Sequence, residues 1–242
     1  YFYIIYEVGI VIMSRIRKKR KKNVTILTDF ERLVIYILAV IGAVFVIVLT
    51  VKGLSALAGY RKHLVVKKEP ELDVELLTPN PYSRSQIALK KVHGIVIHYT
   101  ANPGTSAMEN RNYFEGLKDS CDTSASSHFI VGLDGEVVQC IPTTEICYAS
   151  NNRNDDTIAI ECCHEDASGK FNDQTYDSAV YLTAWLCGKF NLTTKDVIRH
   201  YDITGKDCPK YYVEHEDAWK QFLADVDNYI KKNGTEVNEK DE

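Results

Sequence analysis

The stretch Gly94-Ile-Val-Ile-His-Tyr-Thr-Ala101 is a short apolar run, rich in β-branched residues, that ends at a histidine. This length and composition predict a buried β-strand, which would deliver His98 to the edge of a sheet. A second run of the same kind, Asp156-Thr-Ile-Ala-Ile-Glu161, ends in a carboxylate. Two buried strands that end in polar side chains predict a sheet with a functional edge.

The segments around these strands complete the predicted fold. Asp134-Gly135 separates two apolar runs and indicates a β-hairpin. The segments 176–190 and 219–230 repeat apolar residues with helical spacing, and a further helix is predicted to begin at Thr105 or Ser106. Strands that alternate with helices but include a hairpin predict an α/β fold, with a mixed central β-sheet flanked by helices on both faces.

The segment Arg199-His-Tyr-Asp-Ile-Thr-Gly-Lys-Asp-Cys-Pro209 places His200 and Cys208 eight residues apart. The spacing predicts a strand end that carries His200 and a loop that brings Cys208 back beside it. Imidazole and thiolate are zinc ligands, and a catalytic zinc site usually takes three protein ligands and a water. Because the chain holds seven histidines and seven cysteines, the pair alone also fits a core histidine and an inert cysteine.

Several motifs between Val92 and Ile230 occur in an order that resembles the zinc-dependent N-acetylmuramoyl-L-alanine amidases, a family that includes phage-type amidases and peptidoglycan recognition proteins. The resemblance implies that His98, His200 and Cys208 hold Zn²⁺. It also implies that peptidoglycan is the substrate.

The resemblance assigns two further roles. The carboxylate that matches Glu161 acts as general base in some members of the family, and the position that matches Lys206 donates to the developing oxyanion. Some members carry a catalytic tyrosine directly before a histidine of the hairpin strand, but Ser127 stands there in this chain. We therefore expect the mechanism in which a carboxylate is the general base. Tyr99 and Tyr201 are expected to line the wall of the cleft.

Other polar residues have open roles. His128 fits a structural histidine best, but a substrate contact, a partner of a ligand or a fourth ligand also fit. His164 belongs either near the cleft or on the surface. The clusters Asn110-Arg-Asn112 and Asn151-Asn152 either grip a stem peptide or sugar, or are solvated loop residues.

Three function classes follow. The first is an enzyme that cuts the amide between N-acetylmuramic acid and L-alanine. The second is a non-catalytic peptidoglycan-binding module on the same fold. Members of the family that only bind wall fragments lack the metal-binding cysteine, so the presence of Cys208 favours the enzyme. A membrane-tethered zinc peptidase that cuts within the stem peptide is the third class.

The chain before the predicted domain has the features of a membrane anchor. Leu33 to Val51 is an uninterrupted run of 19 uncharged residues, which is long enough to span a bilayer. Seven of the eight residues from Arg15 to Lys22 are basic, so we expect a cytoplasmic N-terminus and a catalytic domain outside the cell membrane. A buried helix, a cleaved signal peptide and, for the basic run, a nucleic-acid patch are the alternatives.

We divide the chain into a basic cytoplasmic segment (1–32, with translation starting at Met13), a single transmembrane helix (33–51), a stalk (52–90), the amidase domain (91–231) and a polar tail (232–242). Residues beyond 59 carry 20 basic and 30 acidic side chains. This acidic balance argues against a nucleic-acid partner. No obligate protein partner is evident. All seven cysteines lie in the outer part, where disulfides are allowed, and their pairing stays open.

Overall fold

A computed structural model describes residues 29–58 and 63–237 of the 242-residue chain. The chain divides into two compact units, Tyr1–Arg61 and Lys62–Glu242. The basic run from Arg15 to Lys22, the proposed start at Met13 and the last five residues of the predicted tail lie outside the described residues.

The described part of the first unit is one helix, α1 (Asp29–Ala58). Its stretch Glu31–Thr50 is long and apolar enough to cross a membrane, a property that signal sequences share. The hydroxyl of Thr50 donates to the carbonyl oxygens of Val46 and Ile47, so this polar group is satisfied within the helix. Helical backbone and internal bonding are what a bilayer requires of a spanning segment.

The second unit contains short strands and longer helices in alternation. In chain order the elements are β1 (His63–Val65), β2 (Asp73–Val74), β3 (Gly94–Tyr99), α2 (Ala107–Ser120), β4 (Phe129–Val131), β5 (Val137–Gln139), β6 (Thr157–Cys162), α3 (Asp173–Lys189), β7 (Val197–Arg199), α4 (His200–Thr204), α5 (Lys210–Glu214), α6 (Glu216–Asn233) and β8 (Thr235–Val237).

Six of these strands form the central sheet, in the order β2-β5-β4-β6-β3-β7. The strands β4 and β5 pair antiparallel as the predicted hairpin, and the other neighbouring pairs are parallel. The sheet is therefore mixed, as predicted. The strands β6, β3 and β7 lie side by side, so the polar residues at their carboxyl ends meet at one edge.

Successive side chains along the strands of the sheet pack into two separate hydrophobic cores. Phe129 and Val131 pack in one cluster with the apolar sides of α3 and α6, which include Leu186 and Phe222. Ile130, between them in sequence, packs in the other cluster with residues of α2. Because successive strand residues point to opposite faces, helices cover both faces of the sheet, which confirms the predicted α/β layering.

The compact unit begins earlier than the predicted domain, which was placed at 91–231. Within the predicted stalk, β1 pairs with β8 and β2 pairs with β5. The side chains of Val66 and Leu77 in this segment are 2% and 0% exposed. Strands of two or three residues are too short to show a hydrophobic period, so the sequence gives no signal for them.

The unit also ends later than predicted. Within the predicted polar tail, β8 pairs antiparallel with β1, with His63 opposite Val237. The close packing of this ribbon depends on Gly188 of α3, because a Cβ there would lie 2.7 Å from a methyl carbon of Val65. A polar three-residue strand is stabilised here by pairing with a segment about 170 residues away, which no local pattern reveals.

Candidate metal centre and cleft

Three neighbouring strands bring the candidate site residues to one edge of the sheet. His98 of β3 is in register with Glu161 of β6. On the other side of β3, Ile97 is in register with Arg199, the last residue of β7, so His200 follows at the same edge. Side chains separated by about a hundred residues in sequence thus converge through parallel pairing.

His200 does not end a strand, as the sequence suggested, but begins the short helix α4. The Asp202 carboxylate, in the first turn of this helix, reaches back and accepts a 2.8 Å hydrogen bond from the backbone N–H of Arg199, the residue before the helix. The helix ends at Gly205, whose φ of 77° is the left-handed conformation that glycine adopts freely. The chain then turns back, and the Tyr201 N–H donates to the Cys208 carbonyl oxygen at 2.9 Å. This small loop is what returns Cys208 to the site.

His98, His200 and Cys208 form a buried group whose ligand atoms all lie within 4.8 Å of one another. The Cys208 Sγ is 3.7 Å from the His98 Nδ1. A tetrahedral zinc ion with ordinary bond lengths separates a sulfur and a nitrogen ligand by about 3.6 Å. The donor set and this spacing therefore fit a zinc ion, and two imidazoles with one thiolate leave one coordination position open.

The electrostatics of the three side chains suit metal binding. Burial lowers the pKa of His98 well below its usual value, with smaller effects from His200 and Lys206. Burial and then Lys206 also lower the pKa of His200. Both rings are therefore neutral at neutral pH, which is the form in which imidazole binds a metal. Burial, followed by the charge of Glu161, raises the pKa of the Cys208 thiol to about 12, so a bound cation must displace its proton.

Glu161 is a carboxylate whose Oε2 is buried without a hydrogen-bond partner. Desolvation raises its pKa to about 8, and the positive charge of Lys206 opposes the rise. No described residue forms an ion pair with Glu161, which excludes a supporting salt bridge at the sheet edge within the described part of the chain. A carboxylate held in this way is able to exchange a proton near neutral pH.

The site opens into a cleft of about 500 Å³. Lys206 lies at its exposed side, and its ammonium takes part in none of the ion pairs formed by the described residues. The rest of the wall mixes aromatic and small polar side chains. It includes Tyr99, Asn110, Tyr113, Phe114, Ser126, Tyr148, Asn151 and Asn154. A wall of this kind offers both stacking surfaces and hydrogen-bonding groups to a polar ligand.

Several residues whose roles the sequence left open do not belong to the group of His98, His200 and Cys208. His128 is fully buried, accepts from the Ala159 N–H at 3.0 Å and faces the Glu145 carbonyl oxygen at 2.9 Å, so both ring nitrogens are satisfied and its role is structural. Burial lowers its pKa to about 4, consistent with a neutral ring. Ser127 is buried and donates to the Phe129 carbonyl oxygen, so no phenol stands at that position.

Of the remaining candidates, some contact the cleft and others do not. His164 is buried rather than on the surface, and its ring stacks on Tyr99 behind the cleft wall, with centroids 5.1 Å apart. Tyr201 is not part of the cleft lining and packs against Arg199 instead. Asn110 lines the cleft, but its amide is bonded to Thr105 and Ser106. Its role in gripping a ligand is therefore limited.

Two residues beside His98 and His200 make contacts that the sequence did not reveal. The Ser150 Oγ lies 3.3 Å from the His98 Nε2, and the Asn151 Oδ1 lies 2.8 Å from the His200 Nε2. The sequence suggested Asn151 only as a possible ligand contact and gave no signal for Ser150. A serine in a loop has no pattern that distinguishes it, since its role depends on a histidine 52 residues away.

Comparisons with known proteins agree with this geometry. The sequence pattern of the family described as N-acetylmuramoyl-L-alanine amidase matches residues 88–211. The chain is 35% identical over 164 residues to the N-acetylmuramoyl-L-alanine amidase CwlL of Bacillus licheniformis, covering 62% of this chain and 45% of that protein. It is 32% identical over 164 residues to the amidase BlyA of Bacillus subtilis, covering 59% and 43%. The chain thus spans about half the length of these relatives.

Solved structures give the same picture. The catalytic domain of XlyA superimposes with a TM-score of 0.53 at 26% identity, covering 64% of this chain and 99% of that domain. A mutant endolysin from Bacillus subtilis matches with a TM-score of 0.54, also at 26% identity, over 64% and 99%.

Proposed function

The chain belongs to the N-acetylmuramoyl-L-alanine amidase family, and on this premise we propose that it is a membrane-anchored zinc hydrolase. Its reaction is cleavage of the amide bond between N-acetylmuramic acid and L-alanine in peptidoglycan. The substrate assignment is supported by the names of relatives such as CwlL and BlyA. The site supports hydrolysis of an amide independently of those names.

The observation that carries the proposal is the convergence of three metal-binding side chains and one unpartnered carboxylate in a single cleft. His98, His200 and Cys208 would hold the zinc ion, and Glu161 is the register partner of His98 on the next strand. A module that only binds wall fragments needs neither a complete ligand set nor a carboxylate with a buried, unpartnered oxygen. The arrangement therefore favours the enzyme over the binding module.

Zinc, when bound, supplies a water with a pKa near 7 and polarises the scissile carbonyl group. Glu161 then takes the proton of the attacking water and returns it to the leaving nitrogen of L-alanine. The raised pKa of about 8 reflects the poor solvation of the Glu161 charge by the protein alone. A nearby cation favours the ionised form, so Glu161 is available as a base at neutral pH once the site is loaded.

Lys206 has the role of stabilising the charge that develops on the carbonyl oxygen. Its ammonium lines the same cleft, two residues before Cys208, and its electrostatic effect reaches His98, His200 and Glu161. A cation that is not committed to an ion pair can move onto the developing oxyanion. The exposed position of Lys206 allows that movement without unpacking the core.

The test is mass spectrometry of the products released from purified peptidoglycan, with Cys208→Ser as the inactive control. The amidase proposal predicts stem peptides with a free L-alanine amino group and glycan strands that keep intact lactyl groups. New termini within the stem peptide would instead identify a peptidase. Binding to peptidoglycan without any released product would identify a non-catalytic module.

The location proposal rests on α1. We propose that Glu31–Thr50 crosses the cell membrane once, with the N-terminus in the cytoplasm and the catalytic unit outside, where peptidoglycan lies. Protease added to intact cells should remove the catalytic unit and leave a short membrane-bound stub. A catalytic unit that is already free in the medium would indicate a cleaved signal sequence, and full protection would contradict the orientation.

A further inference from the structure

Two consecutive residues of one turn each contact a different histidine of the metal group. The Ser150 Oγ is 3.3 Å from the Nε2 of His98, and the Asn151 Oδ1 is 2.8 Å from the Nε2 of His200. The two rings meet edge to face, with centroids 4.8 Å apart. A single turn thus touches the same ring nitrogen of both histidines.

The contact with Asn151 determines which nitrogen of the His200 ring carries the proton, whereas the Ser150 hydroxyl accommodates either tautomer of His98. An amide oxygen only accepts hydrogen bonds, so the His200 Nε2 must donate its proton to Asn151, which leaves the Nδ1 of His200 with a free lone pair. In His98 the Nδ1 faces the Cys208 Sγ at 3.7 Å. When that Nδ1 acts as a ligand, the Nε2 keeps the proton and donates it to the Ser150 Oγ. Both rings then have the same tautomer.

The turn that presents Ser150 and Asn151 is held by its own hydrogen bonds. The Asn154 Oδ1 accepts from the N–H groups of Ala149 and Ser150, at 3.1 and 2.6 Å. Ser150 precedes the short 3₁₀ helix Asn151–Arg153, but its hydroxyl does not cap that helix and faces His98 instead. Asn151 adopts a φ of 54°, which asparagine tolerates better than most residues.

We infer that Ser150 and Asn151 are positioning residues, which fix the ring orientation of the zinc ligands His98 and His200 and, for His200, the tautomer. Loss of a hydrogen bond to the ring nitrogen that does not bind the metal typically weakens metal affinity by about 10- to 100-fold. The inference rests on the proposed zinc site but not on the identity of the substrate. It assigns Asn151 to the metal centre rather than to the gripping of a stem peptide.

The first test examines the tautomers without metal. Histidines are labelled with ¹⁵N in the full-length chain, purified in detergent and freed of metal with a chelator, and NMR records the proton on each ring nitrogen. We expect the Nε2–H form for His200, because its partner, the Asn151 Oδ1, only accepts. In Asn151→Gly, which removes the amide and relieves the positive φ, His200 should show a mixture of tautomers. A wild-type His200 with its proton on Nδ1 would overturn the inference, whatever the zinc content.

The second test measures zinc affinity by competition with a chromogenic chelator. Asn151→Gly and Ser150→Ala should each weaken zinc binding by about 10- to 100-fold, while the metal-free melting temperature stays within about 2 °C. Asn151→Asp still accepts the hydrogen bond and should keep wild-type affinity or exceed it. Asn152→Gly, on the exposed neighbouring residue, is the matched control and should change nothing.

The outcomes separate this inference from the proposed function. If the wild-type chain binds no zinc, the zinc hydrolase proposal fails. If the wild-type chain binds zinc and Asn151→Gly binds it equally well, only the positioning role fails. A fall in metal-free melting temperature with unchanged zinc affinity would show that Ser150 and Asn151 serve the fold alone.

Discussion

Replacing Glu161 by glutamine should stabilise the metal-free protein. In the zinc-loaded protein, the same change should remove most of the activity. The Oε2 of Glu161 is buried without a partner, and desolvation raises the pKa of the carboxyl to about 8. The unfolded chain has a value near 4.5. Because the folded-state pKa is the higher one, the folded state disfavours the ionised form. The cost is small below pH 4.5, grows as the pH rises, and is complete above pH 8.

The magnitude follows from this difference. At pH 7 the unfolded chain ionises freely, and the folded state loses about 3 kcal/mol relative to it, whereas at pH 4 the loss is only a few tenths of a kcal/mol. For a protein of this size, 3 kcal/mol corresponds to a melting temperature higher by about 6–12 °C. Glu161→Gln keeps the shape of the protonated carboxyl and removes the charge, so the gain should appear at pH 7 and vanish at pH 4.

The assay is differential scanning calorimetry of the detergent-solubilised chain, in chelator, at both pH values. Glu71→Gln, at an exposed glutamate, is the control and should shift neither transition. In the zinc-loaded protein the turnover of Glu161→Gln should fall at least about 100-fold, since one proton-transfer group is lost. A Glu161→Gln protein that melts lower than wild type at pH 7 would refute the reasoning, because it would mean that the ionised carboxylate has a stabilising partner.

Three further predictions follow from the same structure. Metal analysis should find close to one zinc per wild-type chain and far less in Cys208→Ser, and a variant that keeps its full zinc content would exclude Cys208 as a ligand. Lys206→Ala should lower turnover by about 10²- to 10³-fold with an unchanged melting temperature, since its side chain is exposed; a lower melting temperature with normal turnover would assign it to the fold. Phe222 is fully buried among the rings of Tyr176, Tyr212 and Trp219. Phe222→Ala should lower the free energy of unfolding, measured with denaturant, by about 3–5 kcal/mol, and a loss below about 1 kcal/mol would contradict the packing.

The parts of the fold that were predictable are those with strong local patterns. The apolar run that ends at His98, the turn at Asp134-Gly135 and the periodic helices each carry their signal within a few residues. The layering of the sheet follows from their order along the chain. The assignment of His98, His200 and Cys208 as one ligand set came only from the resemblance to a family, because spacing alone does not distinguish a ligand from a core residue.

The parts that escaped prediction depend on distant contacts. The strands β1 and β2 have three and two residues, and β8 is polar, so their pairing partners and not their own sequences make them strands. Ser150 is an ordinary loop serine until the fold brings it to His98. His200 was expected at a strand end, but the Asp202 cap converts that position into the first residue of a helix.

The pairing of β1 with β8 has a consequence for how this catalytic unit can be connected to other structures. Because His63 and Val237 are register partners, the two ends of the described part of this unit lie only about 5 Å apart, one strand spacing. A linker of a few residues would join them, and new termini could then be opened in a surface loop by circular permutation. An anchor grafted onto the C-terminal end would also hold the unit by nearly the same point of its surface as an anchor at the N-terminal end. Within this unit the two ends are therefore interchangeable as points of attachment.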